Sequence, residues 1–254
     1  MQIFLLARLI SEISANTDTR LVCINGGNKD NAIPCESSAV IAVEDRESFI
    51  CMFDKMTLSF SSEYIKTEPD LKILFSETVS QIPMDVTSTQ KALCLINVLP
   101  NGVQEMSNDI HGLVQTSLNL GMLKTENNRI SASYCVRSSI DSQKNMINRR
   151  LIALTEILGG NVIISGDYPA WEYNPESKLR DLIGEVYNEL YGCYPRYDVI
   201  HAGLECGIIA SGIDELDCIS IGAELNDIHT DRESFSIGSV KRLWKLLIKT
   251  LEKI

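Results

Sequence analysis

The stretch that decides the fold is Leu118-Asn119-Leu120-Gly121-Met122-Leu123-Lys124-Thr125-Glu126-Asn127-Asn128-Arg129-Ile130-Ser131-Ala132-Ser133-Tyr134-Cys135-Val136. Leu118, Leu120 and Met122 alternate with other residues, and so do Ile130, Ala132, Tyr134 and Val136. That period of two belongs to strands with one buried face. Asn127-Asn128 between them supplies the turn, because asparagine tolerates the left-handed backbone that a two-residue hairpin needs. Arg137 falls on the face opposite the apolar set, since strand side chains alternate.

Outward from this hairpin the pattern changes to helix. A helix is expected from about Ser142 to Leu158, stopped by Gly159-Gly160. Val162 to Ser165 reads as a strand. Upstream, Ile3, Leu6, Ile10 and Ile13 recur at helical spacing with no capping residue before them, as if something upstream were missing. Arg20–Ile24 and Ser37–Val43 read as strands, the first ended by the turn Asn25-Gly26-Gly27. A helix carries Phe49, Ile50, Phe53 and Met56 on one face. Residues 61–115 are less periodic and read as a strand, a helix and a loop. The segment is thus an α+β unit, strands packed on one side by helices.

Composition shifts at Asp167-Tyr168-Pro169-Ala170-Trp171, which marks a domain boundary. Beyond it, Leu179, Leu182, Ile183, Val186 and Leu190 give an amphipathic helix. Asp198–Ile200 and Asp217–Ile221 read as strands, and Val240, Leu243, Trp244, Leu247, Ile248 and Leu251 as a final helix. The alternation suggests part of an α/β sheet.

Composition narrows the function classes. The chain has 254 residues, 44% hydrophobic, with a net charge of -11. That is enough apolar material for a packed core, and an acidic chain repels phosphate backbones, which disfavours nucleic acid as a partner. No apolar run is long enough to cross a bilayer, so no membrane partner is expected. The eight cysteines stand singly without a Cys-x-x-Cys pair. They read as buried free thiols of a reducing cytoplasm.

Three histidines are available for chemistry. His111 follows a polar loop and reads as a surface residue. The loop His201-Ala202-Gly203-Leu204-Glu205-Cys206-Gly207 places two glycines, an imidazole, a carboxylate and a thiol at a strand end, where ligands bind in α/β sheets. It is equally a tight turn with a helix behind it. His229, with Asp231 and Glu233 close by, reads either as a zinc ligand with an orienting carboxylate or as an ion-paired surface residue.

Taken together, several segments resemble those of bacterial aminoacyl-histidine dipeptidases, the PepD-like branch of the carnosinase and aminoacylase metallopeptidases. They are Asn25-Gly26-Gly27 with Asn31-Ala32-Ile33-Pro34, Pro100-Asn101-Gly102-Val103, Thr116-Ser117-Leu118-Asn119, Val136-Arg137-Ser138-Ser139-Ile140-Asp141-Ser142, Tyr168-Pro169-Ala170-Trp171, and the loop His201 to Gly207 followed by Ile219-Ser220-Ile221-Gly222 and His229. The resemblance implies residues 1–167 as an α+β lid and dimerisation domain lacking its first strand. It implies residues 168–254 as the carboxy-terminal part of an α/β zinc-peptidase catalytic domain.

The resemblance also implies roles. His229 corresponds to the last zinc ligand, and Asn31 and Arg137 to lid residues that touch the bound dipeptide. Gly203, Glu205 and Gly207 correspond to the stretch that closes on the substrate's carboxyl end. Where the family usually has His-Ser-Pro-Asp-Glu, this chain reads His229-Thr230-Asp231-Arg232-Glu233, which alters the ligand's loop. The other zinc ligands and the general base have no counterpart here. The resemblance therefore implies a truncated cytoplasmic dizinc dipeptidase for Xaa-His and related dipeptides, with no catalytic residue of its own and inactive alone. Its expected partners are an amino-terminal half chain and a second copy joined through the lid. The alternative is a non-catalytic dimerisation or interaction module. Part of a sheet on its own exposes an edge and an apolar face, so aggregation is expected unless something covers them.

Overall fold

In the computed structural model, which describes residues 2–197, 205–228 and 230–254, the chain opens on helix α1 (Gln2–Ser14) and strands β1 (Thr19–Gly26) and β2 (Ser37–Val43). Helices α2 (Arg46–Tyr64) and α3 (Val86–Val98) follow, then strands β3 (Gly102–Met106), β4 (Val114–Glu126) and β5 (Arg129–Ser138). Helices α4 (Asp141–Ile157), α5 (Lys178–Tyr191) and α6 (Glu205–Ser211), the two-residue strands β6 (Leu225–Asn226) and β7 (Ser234–Phe235), and helix α7 (Ile237–Leu251) complete it. No helix among the described residues is long and apolar enough to cross a membrane.

Two compact units are formed, one of residues 1–105, 116–136 and 143–164, the other of residues 106–115, 137–142 and 165–254. The first is built on a five-stranded sheet in the order β2-β1-β4-β3, with β5 also pairing β4. β1 and β2 run antiparallel from Thr19 opposite Val43 to Gly26 opposite Ser37, with an irregularity between Leu21 and Cys23. The β4–β5 hairpin turns where the sequence places it, and Asn127 (φ 50°) and Asn128 (φ 58°) both take the left-handed backbone.

β1 meets β4 through a single residue pair, Gly26 with Leu123. Side chains supply the missing ladder. Thr125 Oγ1 accepts from Ile24 N–H (2.9 Å) and donates to Ile24 O (2.8 Å), and Asn25 Oδ1 accepts from Thr125 N–H (2.8 Å). Further along the same edge, Leu21 N–H donates to Thr89 Oγ1 (3.1 Å) and Leu21 O accepts from Met84 N–H (2.7 Å). The free edge of β1 is thereby covered by α3 and its approach.

α1 is apolar on two sides, beyond the one face its spacing suggests. Ile3, Ala7 and Ile10 pack with Leu21, Ile24, Ala92, Leu93, Ile96, Leu120 and Leu123, while Leu5, Leu9 and Ile13 pack with Phe53, Met56 and Phe60 of α2. α4 packs Ile147 and Leu151 on Leu118. Leu118 and Leu120 share a face of β4, so α1, α3 and α4 lie on one side of the sheet. In the second unit, Ile183 and Val186 of α5 pack with Leu246 of α7.

Three expectations are corrected. Val162–Ser165 and Asp217–Ile221 form no strand; neither has a ladder partner among the described residues, and β-propensity alone makes no sheet. The α/β alternation is consequently absent among the described residues beyond 165, where the strands are β6 and β7. The thiols are free but not buried: Cys35, Cys51, Cys94 and Cys193 are exposed and the other four half-buried. Cys51, for example, sits in an apolar run, but the helical period turns it away from Phe53 and Met56. The expected strand Asp198–Ile200 lies outside the described residues.

Candidate functional site

In the first unit, the expected substrate-contact residue Asn31 is exposed on the β1–β2 connection. The connection lies directly on β4. A Cβ at Gly121 would overlap the carbonyl oxygens of Lys29 and Asp30, and one at Gly27 (φ 69°) would overlap the carbonyl oxygen of Gly121. Only glycine at both positions lets the backbones approach this closely. Asn119 Nδ2 then donates to Ala32 O (2.8 Å) and Asp30 O (3.4 Å), which clamps the residues on both sides of Asn31. From β3's approach, Asn101 Oδ1 accepts from Leu120 N–H (2.8 Å). Three of the sequence motifs, around Gly27, Asn101 and Asn119, thus converge on the middle of β4.

The second unit gathers the other motifs. Arg137 is half-buried at the end of β5. After it, Ser138 Oγ donates to Ile140 O (2.9 Å) and accepts from Ile140 N–H (3.1 Å), a local turn that leads into α4. Asp141 Oδ1 accepts from Ala170 N–H (3.1 Å), which ties the arginine motif to Tyr168-Pro169-Ala170-Trp171. That segment packs on α6 at Gly207, which is buried. A Cβ there would stand 2.8 Å from Pro169 O and 3.4 Å from Trp171 Cβ. Glu205, at the start of the same short helix, is exposed.

From α6 the strip continues. Burial pushes the Cys206 thiol up to about 11, helped by a hydrogen bond with the Cys218 thiol. Cys206 is therefore a neutral thiol at physiological pH and a poor nucleophile or anion-like ligand by itself. Beside Cys218, Asp217 accepts from Ser177 Oγ (2.6 Å) and Leu179 N–H (2.8 Å), while Ser177 caps α5 through Arg180 N–H (3.1 Å). Partial burial alone would raise the Asp217 pKa, but the hydrogen bonds from Leu179 and Ser177 and the nearby Arg180 outweigh it and hold the carboxyl below its usual value. Nothing in the local sequence singles out Asp217. Its partners lie forty residues away, and no local pattern announces them.

Gly203 and His229, expected as a substrate contact and a zinc ligand, lie outside the described residues, as does His201. His111 is exposed, as its polar surroundings suggest. Among the described residues no three His, Cys, Asp or Glu side chains converge to hold a metal ion. The described donors do not fit a zinc centre by themselves. A recess lined by Asp18, Arg20, Glu44 and Pro83 lies at the opposite end of β1 from Gly26 and holds none of the candidate residues.

Similarity to known proteins fixes the class first: over nearly all its length the chain is similar to part of a peptide-cleaving enzyme, a dipeptidase. Two particular relatives show this. The cytosol non-specific dipeptidase of Escherichia coli (strain K12) is 32% identical over 256 residues, covering 98% of this chain and 52% of that protein. The crystal structure of aminoacylhistidine dipeptidase from Vibrio alginolyticus superposes with a TM-score of 0.90 at 31% identity, covering 98% of this chain and 52% of that one. The chain spans about half the length of the relatives it matches. No family model matches it.

Proposed function

We propose that the chain is the carboxy-terminal portion of a cytosolic dizinc dipeptidase, acting on Xaa-His and related dipeptides once a polypeptide equivalent to the rest of the relatives completes it. The observation that carries this reading is the extent of the similarity: 98% of the chain superposes, at a TM-score of 0.90, on about half of an aminoacylhistidine dipeptidase. In this reading residues 1–167 are the lid, through which two copies pair, and residues 168–254 belong to the catalytic domain.

Asn31 is then a donor and acceptor for the peptide unit, held out by the Asn119 clamp. Arg137 offers a planar fork to a substrate carboxylate. Gly203, Glu205 and Gly207 close on the substrate's carboxyl end, and Gly207 sets how closely α6 approaches Pro169. His229 supplies one zinc ligand. A catalytic zinc takes about three protein ligands. Bound zinc activates water at neutral pH. The remaining ligands are expected from the part of the relatives that these residues do not match, and without that part the segment is inactive.

The test combines the chain with the part of the E. coli relative that it does not match. Zinc content and hydrolysis of alanyl-histidine are measured for each polypeptide and for the mixture. The expected result is turnover in the mixture alone, lost with His229→Ala and showing a raised KM with Arg137→Ala. An inactive mixture that holds no more zinc than its separate parts would sink the proposal.

A further inference from the structure

We propose that Cys206 and Cys218 are a reversible redox site, at which a small-molecule disulfide oxidises the two thiols to a bridge that shifts the start of α6 relative to Pro169 and Trp171. The bridge is independent of the proposed function; only its consequence for substrate binding rests on that reading.

Cys206 is the second residue of α6, and Cys218 follows twelve positions later in an irregular segment. The chain reverses between them. Gly212 N–H donates to Ile209 O (3.2 Å), Ile213 N–H to Ala210 O (3.3 Å) and Leu216 N–H to Ile213 O (3.4 Å), and Glu215 takes the left-handed backbone (φ 57°). These turns bring the two thiols into hydrogen-bonding contact. Both ends of the reversal are anchored by their neighbours. Gly207 lies against Pro169 and Trp171. On the other side, Asp217 accepts from Ser177 Oγ and Leu179 N–H, and Ile219 packs against the cluster of Ile183, Val186 and Leu246. The fold itself therefore sets the contact between the sulfurs.

Packing alone does not call for two thiols side by side, because a neutral thiol packs as a small apolar side chain. What the pair adds is chemistry. Both sulfurs are half-buried, which leaves them open to a small reagent. Burial and the hydrogen bond hold the Cys206 thiol up at about 11, so exchange is slow at neutral pH and the site follows the standing ratio of disulfide to thiol. One cysteine loses its proton and attacks a sulfur of R–S–S–R, expelling R–S⁻. The other loses its proton and attacks the mixed disulfide, expelling the second R–S⁻. Two electrons pass from the pair to the reagent, and the two protons leave on two molecules of R–SH. The new S–S bond is about 2.05 Å long, much shorter than a hydrogen-bonded sulfur pair. Cys218 is held on both sides by Asp217 and Ile219, whereas α6 has only seven residues, so the helix is the part that moves. Its seat on Pro169 leaves no slack, since a Cβ at Gly207 would stand 2.8 Å from Pro169 O. Glu205 and Gly207 both lie on α6, so in the proposed function the bridge displaces the segment that closes on the substrate's carboxyl end.

The experiment equilibrates the full chain in mixtures of reduced and oxidised glutathione. Free thiols are then blocked with N-ethylmaleimide, and the digested protein is mapped by mass spectrometry. The expected product is a peptide pair joined through Cys206 and Cys218, removed again by excess reduced glutathione. Half-oxidation is expected at a value of [GSH]²/[GSSG] roughly 100-fold or more above the millimolar value of two thiols on a flexible linker. In a Trp244→Phe background, which leaves Trp171 as the emitter, the fluorescence should shift with the same midpoint. Cys218→Ser should abolish the bridge and keep the melt of the reduced protein. Glutathione on either cysteine without a bridge, or half-oxidation in the millimolar range of a flexible linker, overturns the site. A bridge that leaves the Trp171 emission unmoved overturns its action on α6. No hydrolysis is measured, so failure of the proposed function leaves the redox site standing, and the reverse.

Discussion

Replacing Gly121 by alanine puts one methyl group where the β1–β2 connection now lies. Its Cβ would overlap the carbonyl oxygens of Lys29 and Asp30 and crowd the Asp30 carbonyl carbon. These are backbone atoms, so no rotamer change relieves the clash; the whole connection must lift from β4. Overpacking of this kind costs about 1–3 kcal/mol. Lifting also breaks the two hydrogen bonds from Asn119 to Asp30 O and Ala32 O, which contribute about 1 kcal/mol each at most. The expected loss is about 2–4 kcal/mol, or a fall of about 5–10 °C in Tm for a chain of this size. Urea unfolding followed by circular dichroism measures it. Asn119→Ala alone should cost about 1 kcal/mol, and the double variant should cost less than the sum, because both changes release the same connection. In the reconstituted enzyme the same variant should raise KM, since Asn31 moves with the connection. Gly121→Ala within about 0.5 kcal/mol of wild type, or strict additivity with Asn119→Ala, would refute the view that β4 holds Asn31 in place.

Three smaller perturbations test other parts. Gly207→Ala sets a Cβ 2.8 Å from Pro169 O. It should cost about 1–2 kcal/mol and shift the emission of Trp171, whereas an unchanged spectrum and melt would separate α6 from that segment. Asp217→Asn removes a carboxylate that accepts from Ser177 and Leu179 at the start of α5, at a cost of about 1 kcal/mol at pH 7. Because the folded pKa of Asp217 is lowered, its contribution is complete above the unfolded value near about 4 and fades as pH falls through the folded one. The variant should therefore lose the acid limb of the stability curve rather than gain one. Tyr134 buries its hydroxyl with no partner among the described residues, and burial raises its pKa. Tyr134→Phe should stabilise by up to about 1 kcal/mol, and a loss of that size in a urea melt would point to a hydrogen bond at that hydroxyl.

What the sequence discloses is governed by how local the forces are. The β4–β5 hairpin is legible because its alternation and its asparagine turn are set within nineteen residues. β2 is read to the residue and the helix from Asp141 to within one, while the apolar positions Leu179 to Leu190 all fall inside α5. The second apolar face of α1 is missed because a helix buried on both sides carries no clean stripe to read. The stitching of β1 to β4 by Thr125 joins residues 101 positions apart, and the anchoring of α5 by Asp217 joins residues 40 positions apart. The candidate residues are a different matter. Asn31, Arg137, Glu205 and Gly207 stand out through family resemblance, and what the fold adds is what holds them: the Asn119 clamp, the Asp141–Ala170 tie and the approach of Pro169 to Gly207.

The two failed strands carry the same physical message as the bare face of α7. Val162-Ile163-Ile164 and Ile219-Ser220-Ile221 have strong strand composition, yet neither joins a ladder among the described residues, and Ile163, Ile164 and Ile221 are 83%, 52% and 40% exposed. A β-branched run gains little from extension alone; it becomes a strand when a neighbour takes up its N–H and C=O groups and covers its side chains. One such segment could be an accident of composition. Two such segments and the partly exposed apolar stripe of Ile237, Val240, Trp244, Ile248 and Leu251 on α7 ask for the same remedy, polypeptide that supplies hydrogen bonds to the segments and apolar cover to the helix. The requirement set by these surfaces and the shortfall in length against the dipeptidases are independent observations, and both are met by polypeptide equivalent to the part of the relatives that this chain does not match.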